Sequence, residues 1–264
     1  MRLARALAAT LLLAASSPAF ASSSDWLESE GGRVRIVTTG TPDASGKLAG
    51  ALVIDLKPGW KTYWRDPGEA GVPPSVDVSA TPGASLLDIG FPAPKRFDDG
   101  YSKWAGYKHP VTLPLTLDVK GEPGAIQADI FLGVCETICI PVQGRLELDP
   151  ASDPGSADDA ETVKAAVEAL PDAPMPDFGA TVAGGDAESL TIAASVPDGS
   201  RDVELFLASG LGYTFDTPRR HEENGRLLFT VPILDRPAST PPGGLLHYTL
   251  TTAAGAVAGT LPAP

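Results

Sequence analysis

The chain has 264 residues, with 33 Asp or Glu against 20 Lys or Arg and a formal net charge of −13 at pH 7. An acidic balance of this size argues against nucleic acid and anionic lipid as partners. Its 28 glycines and 26 prolines lie between short β-branched runs, which predicts an all-β chain made of sandwiches.

The chain opens with "MRLARALAATLLLAASSPAFA", in which Arg2 and Arg5 precede an apolar run from Ala6 to Ala15. Ala19-Phe20-Ala21 closes the segment in a small-x-small pattern. This reads as a secretory signal peptide over residues 1–21, cleaved near Ala21 to release a soluble protein into an oxidising compartment. The apolar run is far shorter than the ~20 residues that cross a bilayer, so no membrane insertion is expected.

A first β module is expected over residues 22–149, with strands at Arg33 to Thr38, Leu48 to Leu56, Val111 to Val119 and Ala125 to Leu132. In "GALVIDL", Leu52, Ile54 and Leu56 alternate with Ala51, Val53 and Asp55, which gives one strongly apolar face. Pro114, inside the run Val111 to Val119, points to an edge strand or a bulge. Residues 150–176 then read as a linker holding one short helix. Ser156 with Asp159 resembles a capping box, Ala160, Val163, Val167 and Leu170 make an apolar stripe, and Pro171 stops the helix. From 177 to 264 the β pattern resumes, and Val203, Leu205 and Leu207 alternate with Glu204, Phe206 and Ala208. A second immunoglobulin-like sandwich is predicted there, and its His221 and His247 stand in no recognisable motif.

Cys135 and Cys139 are the only cysteines of the chain. Four extended steps would hold their Cα atoms ~13 Å apart, whereas a disulfide needs ~4.4–6.8 Å. The β-branched neighbours and Pro141 disfavour a helix, so pairing calls for a tight hairpin turn at Glu136-Thr137-Ile138. A permanent staple closing so small a loop would contribute only about 2 kcal/mol. A copper(I) site would need a further ligand beyond the two sulfurs. Thiol–disulfide exchange needs only an accessible sulfur and an in-line approach for a partner thiolate. Spacing leaves the three open.

Longer stretches carry a resemblance. "GWKTYWRDPGEAGVPPSVD", "FPAPKRF", "GYKHPVTLPLTL" and "LGVCETICIPVQGRLEL" occur in this order between Gly59 and Leu148. Together they resemble the N-terminal periplasmic domain of the DsbD family of thiol:disulfide interchange reductases, in the ScsB-like branch associated with suppression of copper sensitivity. The resemblance implies an immunoglobulin-like redox domain in the periplasm. It implies Cys139 as the sulfur that forms the mixed disulfide with partners, and Cys135 as the one that resolves it. It also implies an acidic and aromatic cap over the pair, at Asp98 or Asp99 and at Tyr101 or Trp104, with Tyr63 as a wall of the site. Gly100 stands where a cap phenylalanine is expected. Electrons would come from a membrane-embedded thiol reductase and pass to periplasmic thioredoxin-like or disulfide-isomerase-like proteins. No cofactor or metal is implied, because the dithiol itself carries two electrons. The alternative is a non-enzymatic two-module binding protein, chaperone-like or copper-handling, with a structural disulfide.

Overall fold

The short β-branched runs fold as antiparallel strands in a computed structural model that describes residues 22–68, 71–98, 100, 102–121 and 124–264. The expected signal peptide, Asp99 and Tyr101 lie outside the described residues. The first module contains β1 (Leu27–Ser29), β2 (Gly32–Thr38), β3 (Lys47–Leu56), β4 (Lys61–Gly68), β5 (Ser75–Asp77), β6 (Ala84–Ile89), β7 (Lys95–Asp98), β8 (Lys103–Tyr107), β9 (Val111–Val119), β10 (Ile126–Cys135) and β11 (Cys139–Leu148). One sheet has the order β1-β2-β3-β9-β6, and the other has β11-β10-β4-β8-β7 with β5 added against β10. This is an all-β, immunoglobulin-like sandwich. Leu52 and Ile54 of β3 and Leu113 and Leu117 of β9 share its core with Ile130 and Leu132 of β10.

Pro114 is not on an edge, because β9 lies between β3 and β6. Its carbonyl accepts the Gly90 N–H at 2.8 Å, just past the last rung of β6, Ile89↔Leu115. The donor that proline lacks is therefore directed where that ladder runs out, at no cost to a rung. A bulge does occur nearby, but in β6, between Leu86 and Asp88.

A 3-10 turn (Pro150–Ser152) leads to α1 (Ala157–Glu168). The Ser156 Oγ accepts the Asp159 N–H at 3.3 Å, so the predicted cap is present in one direction. Its reciprocal half is absent: the Asp159 carboxylate accepts the Ser22 hydroxyl at 2.6 Å instead. The helix is consequently rotated from the expected stripe. Asp159, Val163 and Ala166 are buried, whereas Ala160 is exposed and Val167 is 52% exposed. Val163 and Ala166 pack on Val37 and Ala51, so α1 covers the outer face of the β2-β3-β9 sheet.

The second module comprises β12 (Gly179–Gly185), β13 (Ser189–Ser195), β14 (Glu204–Ala208), β15 (Thr214–Phe215), β16 (Arg219–Glu223), β17 (Arg226–Asp235), β18 (Leu245–Thr252) and β19 (Gly255–Pro262). Its sheets run β12-β13-β17-β15, with β16 on β17, and β14-β18-β19. The alternation in β14 serves two cores. Leu205 and Leu207 enter the module's own core, while Phe206 and Ala208 join that of the first module.

A bulge in β4 makes that junction. The pair Tyr63↔Gly106 is followed by Gly68↔Trp104, so the residues from Trp64 to Pro67 stand against Ala105 alone. The Trp64 ring meets the Phe206 ring edge to face at 5.8 Å. Arg96 lies over Phe206 at 4.7 Å and donates from Nη2 to the Leu205 carbonyl at 3.0 Å. Among the described residues no helix is long and apolar enough to cross a membrane.

Candidate disulfide site

The β10–β11 hairpin is paired in unbroken register from Ile126↔Leu148 to Cys135↔Cys139. The Glu136 N–H donates to the Ile138 carbonyl at 3.1 Å and closes the turn expected from the cysteine spacing. The cysteines are thus the last rung of the ladder, with Cα atoms 4.1 Å apart, and they form a disulfide. Strand alternation sends Leu132 and Val134 into the core and turns Gly133 and Cys135 to the outer face.

Although Cys135 points outward it is only 1% exposed, while Cys139 is exposed. Two neighbouring strands account for the difference. Tyr63 of β4 and Trp104 of β8, each 2% exposed, cluster over Cys135. The Tyr63 hydroxyl lies 3.0 Å from the Cys135 Sγ and 3.4 Å from the Cys139 Sγ. Disulfide sulfurs carry no proton, so the hydroxyl is the donor.

Tyr63 reaches this position because glycines make room for its ring. A Cβ on Gly133 would stand 3.3 Å from Tyr63 Cε2, and one on Gly71 only 2.6 Å from Cδ1. At Gly106, its partner across the ladder, a Cβ would come within 2.2 Å of the Thr62 carbonyl oxygen. Trp104 meets Tyr63 edge to face at 5.8 Å, and Phe97 of β7 stacks on Trp104 at 4.2 Å. Ammonium groups cap these rings, Lys61 over Trp104 at 4.2 Å and Lys108 over Phe97 at 4.3 Å.

The expected site residues divide accordingly. Cys135, Cys139, Tyr63 and Trp104 are brought together. Asp98 is exposed, and its carboxylate accepts the Gly100 N–H at 2.9 Å, a local turn contact. Around Gly100 the space is open: nothing lies within 4 Å of where its Cβ would be. Aromatic cover is supplied from the strands by Trp104 and by Phe97, a residue the sequence reading passed over. Its signal was present in "KRF" before "KWAGY", two short runs that pair Phe97 with Trp104. Trp60 and Trp64 are core residues. Among the described residues no three His, Cys, Asp or Glu side chains are grouped to hold a metal ion.

An immunoglobulin-like module with a disulfide at the tip of a hairpin, one sulfur covered and one open, defines a domain of the thiol–disulfide interchange class. Residues 37–151 match the family described as thiol:disulfide interchange protein DsbD, N-terminal. The fold is shared with the N-terminal periplasmic domain of ScsB from Proteus mirabilis. That likeness has a TM-score of 0.71 at 23% identity and covers 92% of this chain and 100% of the other, so it includes both modules. A conserved domain protein from Bacillus anthracis aligns at 13% identity with a TM-score of 0.19, too little to carry an argument. No curated protein matches the sequence significantly.

Proposed function

We infer that the chain is a periplasmic thiol–disulfide exchange protein that relays electrons through Cys135 and Cys139. The observation that carries this reading is the asymmetry of the pair, with Cys139 exposed and Cys135 sealed under Tyr63 and Trp104. An inert staple requires neither an open sulfur nor a hydroxyl shared between the two.

In the reduced protein the Cys139 thiolate attacks one sulfur of an oxidised partner. A mixed disulfide forms, and the partner's second sulfur leaves with the electron pair as a thiolate. The Cys135 thiolate then attacks the Cys139 sulfur, restoring the intramolecular disulfide and releasing the partner as a dithiol. Two electrons have moved, and solvent supplies the protons. Recharging is the reverse: a donor thiolate attacks Cys139, and Cys135 leaves as a thiolate. The Tyr63 hydroxyl, 3.0 Å from the Cys135 sulfur, is placed to donate to that leaving group. Ile138, 67% exposed beside Cys139, offers an apolar contact to the incoming chain. A membrane-embedded thiol reductase is the donor in this reading, and periplasmic thioredoxin-like or disulfide-isomerase-like proteins are the acceptors.

The test is to trap the intermediate. Cys135→Ser, offered an oxidised thioredoxin-like protein, should accumulate a mixed disulfide through Cys139, whereas Cys139→Ser should form none because Cys135 is covered. Equal trapping by both variants, or by neither, would overturn the assignment.

A further inference from the structure

On the far side of the rings that cover the disulfide, a groove of about 600 Å³ lies between α1 and the β7–β8 hairpin. Its volume falls in the ~300–1,000 Å³ range of ligand-sized clefts. Ala165 of α1 and Ala169, just past its end, form one apolar wall, with Pro92 and Pro110 among the residues lining the rest. Lys95, Lys108 and His109 also line it, and no carboxylate does. In a chain of net charge −13 this lining is locally basic, although Lys95 also borders a neighbouring cleft lined by Glu168, Asp172, Asp202 and Glu204. The obvious internal partners are not used. Glu161 and Glu168 of α1 lie within 4 Å of Lys164, and neither Lys95 nor Lys108 has an ion pair among the described residues.

The groove is continuous with the redox face. Phe97 lines it and stacks on Trp104, which in turn meets Tyr63 at the sulfurs. The two ring-to-ring steps, 4.2 and 5.8 Å, put Phe97 and Tyr63 no more than three extended residues apart, at ~3.3 Å per residue. A partner chain that leaves Cys139 toward Phe97 would meet Lys108 and Lys95.

We propose that this groove receives an extended, acidic segment of the redox partner, a few residues from the partner's reactive cysteine. The proposal rests on the exchange reading for the role of the segment, but binding of the segment does not depend on it. Opposite charge raises the encounter rate and fixes register, and the apolar wall gives the segment surface to bury.

The test uses two synthetic peptides with one cysteine each, identical except that three positions distant from the thiol are glutamate in one and glutamine in the other. The rate of disulfide opening is followed for the wild type and for Lys95→Gln/Lys108→Gln, with dithiothreitol as the uncharged reference. The glutamate peptide should react roughly tenfold faster than the glutamine peptide with the wild type. Relative to the dithiothreitol rate of each protein, that advantage should vanish in the double variant. Equal rates for the two peptides with the wild type, or an advantage that survives in the variant, would overturn the proposal. If neither peptide nor dithiothreitol opens the disulfide, the exchange reading fails by itself. The groove is then read from fluorescence anisotropy of the same peptides with serine for cysteine. Preference for the glutamate form that is lost in the double variant sustains it, and absence of preference overturns it.

Discussion

Strand β4 places Tyr63 and Trp64 side by side in sequence and gives them opposite environments. Tyr63 sits in a trough lined by glycines and directs its hydroxyl to the two sulfurs. Trp64, at the start of the bulge, packs against Phe206 and belongs to a core that spans both modules. The first environment is a disulfide with Cys135 covered by two rings and Cys139 exposed; the second is apolar packing between modules. Substitutions on the two sides should therefore separate chemistry from stability.

The largest effect on stability should come from the Trp64 side. Phe206→Ala removes the ring shared by Trp64 and Arg96 and should cost about 3–5 kcal/mol, read from urea unfolding. Its disulfide should still open at a near-normal rate, because the Tyr63 contacts are untouched. Slowed opening matched to the loss of stability would merge the two environments and contradict the comparison.

Gly106→Ala should come next and act on both sides. The added methyl meets the Thr62 carbonyl and the Tyr63 backbone, an overpacking that costs about 1–3 kcal/mol. Exchange should fall together with stability, a combination that neither Phe206→Ala nor Tyr63→Phe should show.

Tyr63→Phe should leave stability within about 1.5 kcal/mol, the worth of one hydrogen bond. It should slow opening of the disulfide severalfold, measured with dithiothreitol, because the Cys135 leaving group loses its donor. An unchanged rate would remove Tyr63 from the chemistry.

The smallest effect concerns pH at the junction. Burial, and then the positive charge of Arg65, push the His247 pKa below its ordinary 6.5. The folded state therefore disfavours the protonated ring, and between the depressed value and 6.5 the unfolded chain binds more protons. His247 contributes nothing unfavourable above 6.5, and stability should decline as the pH falls below it. His247→Gln should flatten that part of the pH profile, as read from urea midpoints across the range.

Which of these features the sequence disclosed follows from distance along the chain. The hairpin turn at Glu136 to Ile138 was readable because β-branched neighbours and a four-residue separation constrain each other locally. The apolar face of Leu52, Ile54 and Leu56 was readable because alternation is itself local. The helix stripe was misplaced because Asp159 is buried by a hydrogen bond from Ser22, 137 residues away. The position of Pro114 depended on where β6 ends, and the β4 bulge depended on β8. Phe206 read as one half of an ordinary alternation, although its partners lie in another module. At the site the family pattern supplied the cysteines and Tyr63, while the covering role of Phe97 and the ring-capping lysines required strand pairing that no single stretch encodes.

The most direct test of the central claim is the equilibrium reduction potential of the Cys135–Cys139 pair. It can be read by alkylation trapping in glutathione and dithiothreitol buffers. Structural disulfides lie below about −300 mV. A relay through an open Cys139 and a covered Cys135 predicts a value above that bound, with rapid exchange. A pair that stays oxidised under strong reductant would make the disulfide a staple and contradict the account.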